Sequence, residues 1–172
     1  AFCAGGDIAS MQALQERDDT RVVAERSHYA SQVVQLIRRM PQPVVAAING
    51  AAAGGGMNLA LACDMRLGSE NAVFSEAFVK IGLVPDWGGF SFLTQLVGTA
   101  KAMELMMTGD RIDAEQALAL GLLNHVYSAD AFDDEANAFA RKLASGPSKT
   151  LARIKQGVYL GASESLPEAL AF

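Results

Sequence analysis

Apolar residues at positions 22, 23, 30, 33, 34, 37 and 40 recur at three- and four-residue spacing, which predicts a helix over residues 19–40. Asp18, Asp19 and Thr20 supply its cap and acidic entry, and Pro41 and Pro43 end it. Residues 44–48 are a short unbroken apolar run, the pattern of a strand buried on both faces in a parallel sheet. Asn49-Gly50 then turns the chain into three alanines and three glycines, and residues 57–62 read as a buried helix. Residues 64–67 and 72–74 have the character of short strands, and residues 92–97 and 100–107 of helices. The spacing of Asp113 and Gln116 is that of a capping box, so a helix is expected from there to Leu120, closed by Gly121. Residues 123–127 are strand-like. Residues 131–144 and 147–160 are two more helices, with Gly146 as a terminator and Pro147 in a first turn. Strands alternating with helices predict a single α/β domain. Residues 1–4 resemble the end of a strand and residues 166–172 stop inside a helical pattern, so parts of the native domain are expected beyond both ends.

Composition narrows the classes. Half of the 172 residues are hydrophobic and 19% are charged, a soluble globular profile. No apolar run approaches the roughly 20 residues a membrane helix needs, and residues 1–20 lack a signal-peptide pattern. Cys3 and Cys63 sit among apolar neighbours without metal-ligand spacing, which suits buried thiols in a reducing cytoplasm. With a net charge of −5 and no basic cluster longer than Arg38-Arg39, nucleic acid is a poor partner. An anionic small ligand remains possible, because backbone N–H groups bind phosphate even on an acidic protein. The two histidines and two cysteines are too dispersed to suggest a metal site.

Two glycine-rich segments carry the chemistry. In Ala51-Ala52-Ala53-Gly54-Gly55-Gly56, small residues allow a ligand close to the backbone, and the following helix start leaves N–H donors free. A phosphate loop would need Lys where Gly56 stands, and a dinucleotide fingerprint would need Gly or Ala where Leu59 stands. The run could also serve only close helix–strand packing. Ala4-Gly5-Gly6-Asp7-Ile8 reads alone as a tight turn with Asp7 capping a helix. Two such turns converging on one oxygen would form an oxyanion hole.

The chain resembles the crotonase, or enoyl-CoA hydratase/isomerase, superfamily over essentially its whole length. The resemblance rests on Phe2-Cys3-Ala4-Gly5-Gly6-Asp7-Ile8, Pro43-Val44-Val45-Ala46-Ala47-Ile48-Asn49-Gly50, Gly54-Gly55-Gly56 and Ile81-Gly82-Leu83-Val84-Pro85, with Leu105 to Ile112 and Ala117 to Leu123 behind them. It implies a superhelical spiral of ββα units, residues 1–125 as the spiral core with the acyl-CoA site and residues 126–172 as a helical trimerisation region. It further implies a homotrimer or a dimer of trimers, an acyl-CoA substrate and no cofactor beyond the coenzyme A carried by that substrate. The oxyanion donors would be the N–H groups of Gly6 and Gly55. Ala4, Asp7, Ile8, Ala53, Gly54, Asn58, Ala77, Phe78 and Trp87 would line the substrate path.

The same resemblance bears on the reaction. Hydratases of the family carry two glutamates, and those positions here are Asn58 and Phe78, neither of which can exchange a proton with water. Glu76 lies two residues from the second position and reads as structural. Asp86, in Val84-Pro85-Asp86-Trp87-Gly88-Gly89, falls where an isomerase branch acting in phenylacetate breakdown places its base, although Asp is also a preferred helix cap. A helix start would lower its pKa, and an apolar pocket around Phe78 and Trp87 would raise it. The expectation is an isomerase with Asp86 as acid and base. The alternatives are a dehalogenase like that acting on 4-chlorobenzoyl-CoA, with Asp86 as nucleophile, and a non-catalytic acyl-CoA binding scaffold. His28, His125 and Asp64 read as structural or surface residues, Lys101 and Arg111 as solvated cations, and Met103, Met106 and Met107 as core or subunit-contact residues.

Overall fold

A computed structural model describes residues 1–172, the side chain of residue 15 apart. The chain climbs in turns of strand, strand and helix. Helices α1 (Ile8–Glu16) and α2 (Thr20–Arg39) come first, followed by β1 (Val45–Ile48), β2 (Ala51–Ala53) and α3 (Gly55–Ala62). The next turn is β3 (Met65–Ser69), β4 (Val73–Ser75), a 3-10 turn (Ala77–Ile81) and α4 (Gly89–Thr108). Then come β5 (Arg111–Asp113), α5 (Ala114–Ala119), β6 (His125–Tyr127), α6 (Phe132–Ala144), α7 (Ser148–Ser163) and α8 (Leu166–Leu170).

First strands stack on first strands and second on second. β1, β3 and β6 form one parallel sheet, while β2 pairs β4 in parallel and β4 pairs β5 antiparallel in the other. Cys3 extends the second sheet through a parallel bridge to Ala52. Each turn of the spiral thereby adds a strand to both sheets, the ββα superhelix expected from the sequence. Between the sheets and the helices the fully buried side chains include Ile48, Met57, Leu61, Leu67, Phe74, Leu93 and Leu122. Phe74 sits in register between Ala52 and Ile112, so the small residue on one side leaves room for the ring. Burial of such a ring contributes about 2–3 kcal/mol.

Most sequence expectations match within a residue or two, and the departures have local causes. The three alanines after Asn49-Gly50 are strand β2 and not a loop, because the backbone of β4 pairs with them. The two helices expected over residues 92–107 are one element, kinked at Gly98 with φ 76°. Helix α1, the 3-10 turn and β5 carried no clear periodic signal, being short and packed by their neighbours. Asp19 caps α2 by accepting from Val22 N at 3.3 Å, and the Asp113/Gln116 capping box forms at α5.

A buried ion pair ties the C-terminal helices to the spiral. Lys155 Nζ lies 2.8 Å from Asp64 Oδ2 and donates to the carbonyls of Ile37 at 2.8 Å and Gln42 at 3.0 Å. Asp64 also accepts from Val44 N at 2.6 Å and from the Tyr159 hydroxyl. Arg38 stacks 3.7 Å from the centre of the Tyr159 ring and donates to its hydroxyl at 2.7 Å. With all three ammonium contacts met, the desolvation cost of Lys155 is offset by charge-assisted bonds. Asp64 is structural, as its sequence context suggested.

Candidate active site

The two glycine segments run side by side. Ala53 N donates to Cys3 O at 3.0 Å. A Cβ on Gly56 would lie 2.0 Å from Cys3 O, and one on Gly5 2.8 Å from Ala53 O and 3.8 Å from Gly55 N. Side chains at these positions would push the segments apart. Gly54 has φ 53° and ψ −125°, a combination that glycine alone adopts readily, and it swings the chain from β2 into α3. Its own N–H is used by Ser75 O at 2.8 Å and its carbonyl accepts from Asn58 N at 3.1 Å. The N–H groups of Gly6 and Gly55 donate to no protein acceptor among the described residues. Asp7 accepts from Ala9 N at 3.2 Å at the start of α1. Ala4, Gly6, Asp7 and Ile8 are exposed, whereas Ala53, Gly54, Gly55 and Ala77 are half-buried.

Aromatic side chains bound the second segment. The Phe78 ring approaches Gly54, 3.8 Å from where its Cβ would be, and Trp87 Nε1 lies 3.2 Å from the corresponding point on Gly55. Trp87 takes φ 51° and Gly88 φ 81°, two consecutive left-handed residues that fold the indole back onto α3. A left-handed non-glycine residue carries on the order of 1 kcal/mol of strain and is found where the surroundings enforce it.

Asp86 precedes that turn. The capping reading is not met: the cap of α4 is Gly88, and no side chain bonds to the helix start. The Asp86 carboxylate is half-buried with Oδ1 enclosed and unpartnered. Burial pushes its pKa above the usual carboxylate range, with its own backbone N–H opposing. Asn58 is fully buried and donates from Nδ2 to Asp86 O at 3.0 Å. Gly89 is what makes room, since a Cβ there would overlap the Asn58 amide at 2.4 Å.

Glu76, which reads from the sequence as structural, is buried next to Asn58. It is 1% exposed, with no hydrogen-bond partner on either oxygen. Burial raises its pKa to about 7, the adjacent Asn58 amide opposes this without reaching hydrogen-bond geometry, and the Asp86 charge adds to the rise. No pattern in the sequence marked it, because Glu76 lies between the end of β4 and the 3-10 turn and owes its burial to packing.

The remaining candidates fall outside this cluster. His28 and His125 are exposed, on α2 and β6. Lys101 pairs with Glu104 at 2.6 Å, Arg111 is exposed, and Met103 and Met107 face outward while Met106 packs on the core. Cys63 is buried and Cys3 half-buried. Among the described residues no three His, Cys, Asp or Glu come together as metal ligands, and no helix is long and apolar enough to cross a membrane. A groove of about 580 Å³ between residues 41–45 and helices α6 and α7 is lined by none of the candidate site residues.

A ββα spiral with paired glycine turns at one helix start is the architecture of the crotonase fold. The sequence profile of the enoyl-CoA hydratase/isomerase family matches residues 1–172, and the chain belongs to that family. It is 40% identical over 171 residues to a probable enoyl-CoA hydratase of Rhodobacter capsulatus, covering 99% of this chain and 65% of that relative. The crystal structure of an enoyl-CoA hydratase from Polaromonas sp. JS666 superposes with a TM-score of 0.93 at 40% identity, over 98% of this chain and 65% of that one. A monofunctional enoyl CoA isomerase from M. smegmatis gives 0.76 at 33% identity, over 83% and 68%. The chain thus spans 65% of the length of its curated Rhodobacter relative.

Proposed function

We propose that the protein acts on coenzyme A thioesters as a double-bond isomerase, with Asp86 as the single acid–base group. The observation that carries this is the enclosed, unpartnered Asp86 Oδ1, next in sequence to the Trp87 that packs on Gly55, in a chain whose two hydratase glutamate positions hold Asn58 and Phe78. The thioester oxygen would lie against the N–H groups of Gly6 and Gly55, each worth about 3 kcal/mol to a developing enolate. Asp86 takes the proton from the carbon next to the carbonyl and returns it two carbons along, so the double bond moves and no atom is gained or lost. Its raised pKa makes it a stronger base than a solvated carboxylate. Trp87 and Phe78 exclude water from the same space, with Ala4, Asp7, Ile8, Ala53, Gly54, Asn58 and Ala77 along the substrate path. Coenzyme A enters as part of the substrate and no separate cofactor is invoked. Assembly as a homotrimer or a dimer of trimers belongs to the same proposal.

The test is a panel of enoyl-, epoxy- and haloaryl-CoA thioesters, scored for double-bond migration, water addition and halide release. Isomerisation of a 3-enoyl-CoA is expected, falling roughly 10²- to 10⁴-fold in Asp86→Asn. Unchanged isomerisation in that variant would overturn the assignment. Water addition without migration would make the protein a hydratase, halide release a dehalogenase, and binding without turnover a scaffold.

A further inference from the structure

Four buried side-chain atoms lack a hydrogen-bond partner among the described residues: Asn58 Oδ1, Glu76 Oε1, Glu76 Oε2 and Asp86 Oδ1. All four belong to one cluster. Asn58 links it, because Nδ2 holds the Asp86 carbonyl at 3.0 Å while the same amide bears on Glu76. A buried orphan acceptor costs about 1–3 kcal/mol, and a buried carboxylate without donors costs more. The charged group that acts on Glu76 is Asp86, a like charge. On adjoining elements Lys80, Asp110, Arg111 and Asp113 are exposed, and Lys101 pairs with Glu104. No cation holds an anion at Glu76, the Asn58 amide beside it falls short of hydrogen-bond geometry, and Asn58 Oδ1 lacks a donor. A single proton on Glu76 answers both.

We propose that Glu76 is a positioning residue for Asp86, its carboxyl O–H donating to Asn58 Oδ1 and so fixing the amide whose Nδ2 holds the Asp86 carbonyl. Asn58, at the second turn of α3, then works as a rigid link between a neutral acid and the loop that carries the base. The left-handed Trp87-Gly88 turn, next in sequence, leaves that loop few other conformations. A neutral Glu76 also keeps the cluster at one negative charge, on Asp86. Loss of the proton removes the donor and sets a second charge beside the first, and the pKa of about 7 puts that change within reach of assay. The inference rests on the reading of Asp86 as the base.

The experiment compares the full-length wild type with Glu76→Gln, Glu76→Met and Asp86→Asn on a 3-enoyl-CoA. Gln retains an N–H for Asn58 Oδ1 and should keep kcat within about twofold, whereas Met should lower kcat roughly 10- to 100-fold at unchanged KM, as expected for a displaced base. Above about pH 7 the wild type should descend toward the Met variant, and the Gln variant should not. Met without effect on kcat, or Gln as impaired as Met, overturns the proposal. If that occurs while Asp86→Asn is inactive, the reading of Asp86 stands and the role of Glu76 alone falls. Infrared difference spectroscopy tests the proton on Glu76 without turnover. A protonated carboxyl band present below pH 7, and absent in Glu76→Gln, supports the proposal; no such band overturns it even where no CoA thioester is turned over.

Discussion

The buried carboxyl of Glu76 should make stability fall as pH rises from 4.5 to about 7, and its removal should abolish that fall. Its ordinary pKa of 4.5 rises to about 7 in the folded protein, chiefly through burial. Between those values the native state keeps a proton that the unfolded chain releases. The unfolded state therefore binds fewer protons, and unfolding free energy decreases as pH rises. The stabilisation is complete below the unfolded pKa and lost through the folded one. At ~1.4 kcal/mol per pH unit, the full span amounts to about 3 kcal/mol. Glu76→Gln keeps the shape and deletes the proton. Urea titrations of both proteins from about pH 5 to about pH 8 isolate the effect, since every other titrating group is shared. With a slope near 2 kcal/mol/M, the wild-type midpoint should drop by roughly 1 M relative to the variant over that range. Parallel midpoints would refute the reasoning, and a wild type that gains on the variant with rising pH would show a stabilised carboxylate instead.

Lys155→Met should destabilise the protein by about 3–5 kcal/mol, because it leaves Asp64 enclosed without its cation; the double variant Asp64→Asn, Lys155→Met should lose less than the single one, as read by urea unfolding. Gly56→Ala should sharply reduce folded yield or stability, since the added methyl would meet Cys3 O at 2.0 Å, backbone against backbone. Gly98→Ala meets no neighbouring atom, so its expected cost of about 1–3 kcal/mol, read from the thermal midpoint, arises from a backbone conformation (φ 76°, ψ 165°) that glycine alone adopts readily.

Strong periodic or capped segments were legible in the chain. α2 announced itself by its apolar spacing and Asp19, α5 by its capping box, and β1 by an apolar run too short for a helix. β2 was not, because three alanines have weak strand preference and become a strand only when β4 lies alongside. The glycine turns were visible as motifs, but their adjacency was not: it depends on Cys3 reaching Ala52 across 49 positions of sequence. The burial of Glu76 was not legible. Position counting set it two places from a catalytic site, whereas burial decides what its carboxyl can do.

The sequence by itself determined the alternation of strands and helices, the family motifs and the absence of a carboxylate at positions 58 and 78. Those properties are local or follow from residue identity, so they survive without coordinates. Only the tertiary structure brought Asn58, Glu76 and Asp86 into one enclosed cluster and freed Asp86 from a capping role. A carboxyl's proton affinity is set by the solvent it loses and the charges it meets, and neither is written in the order of residues.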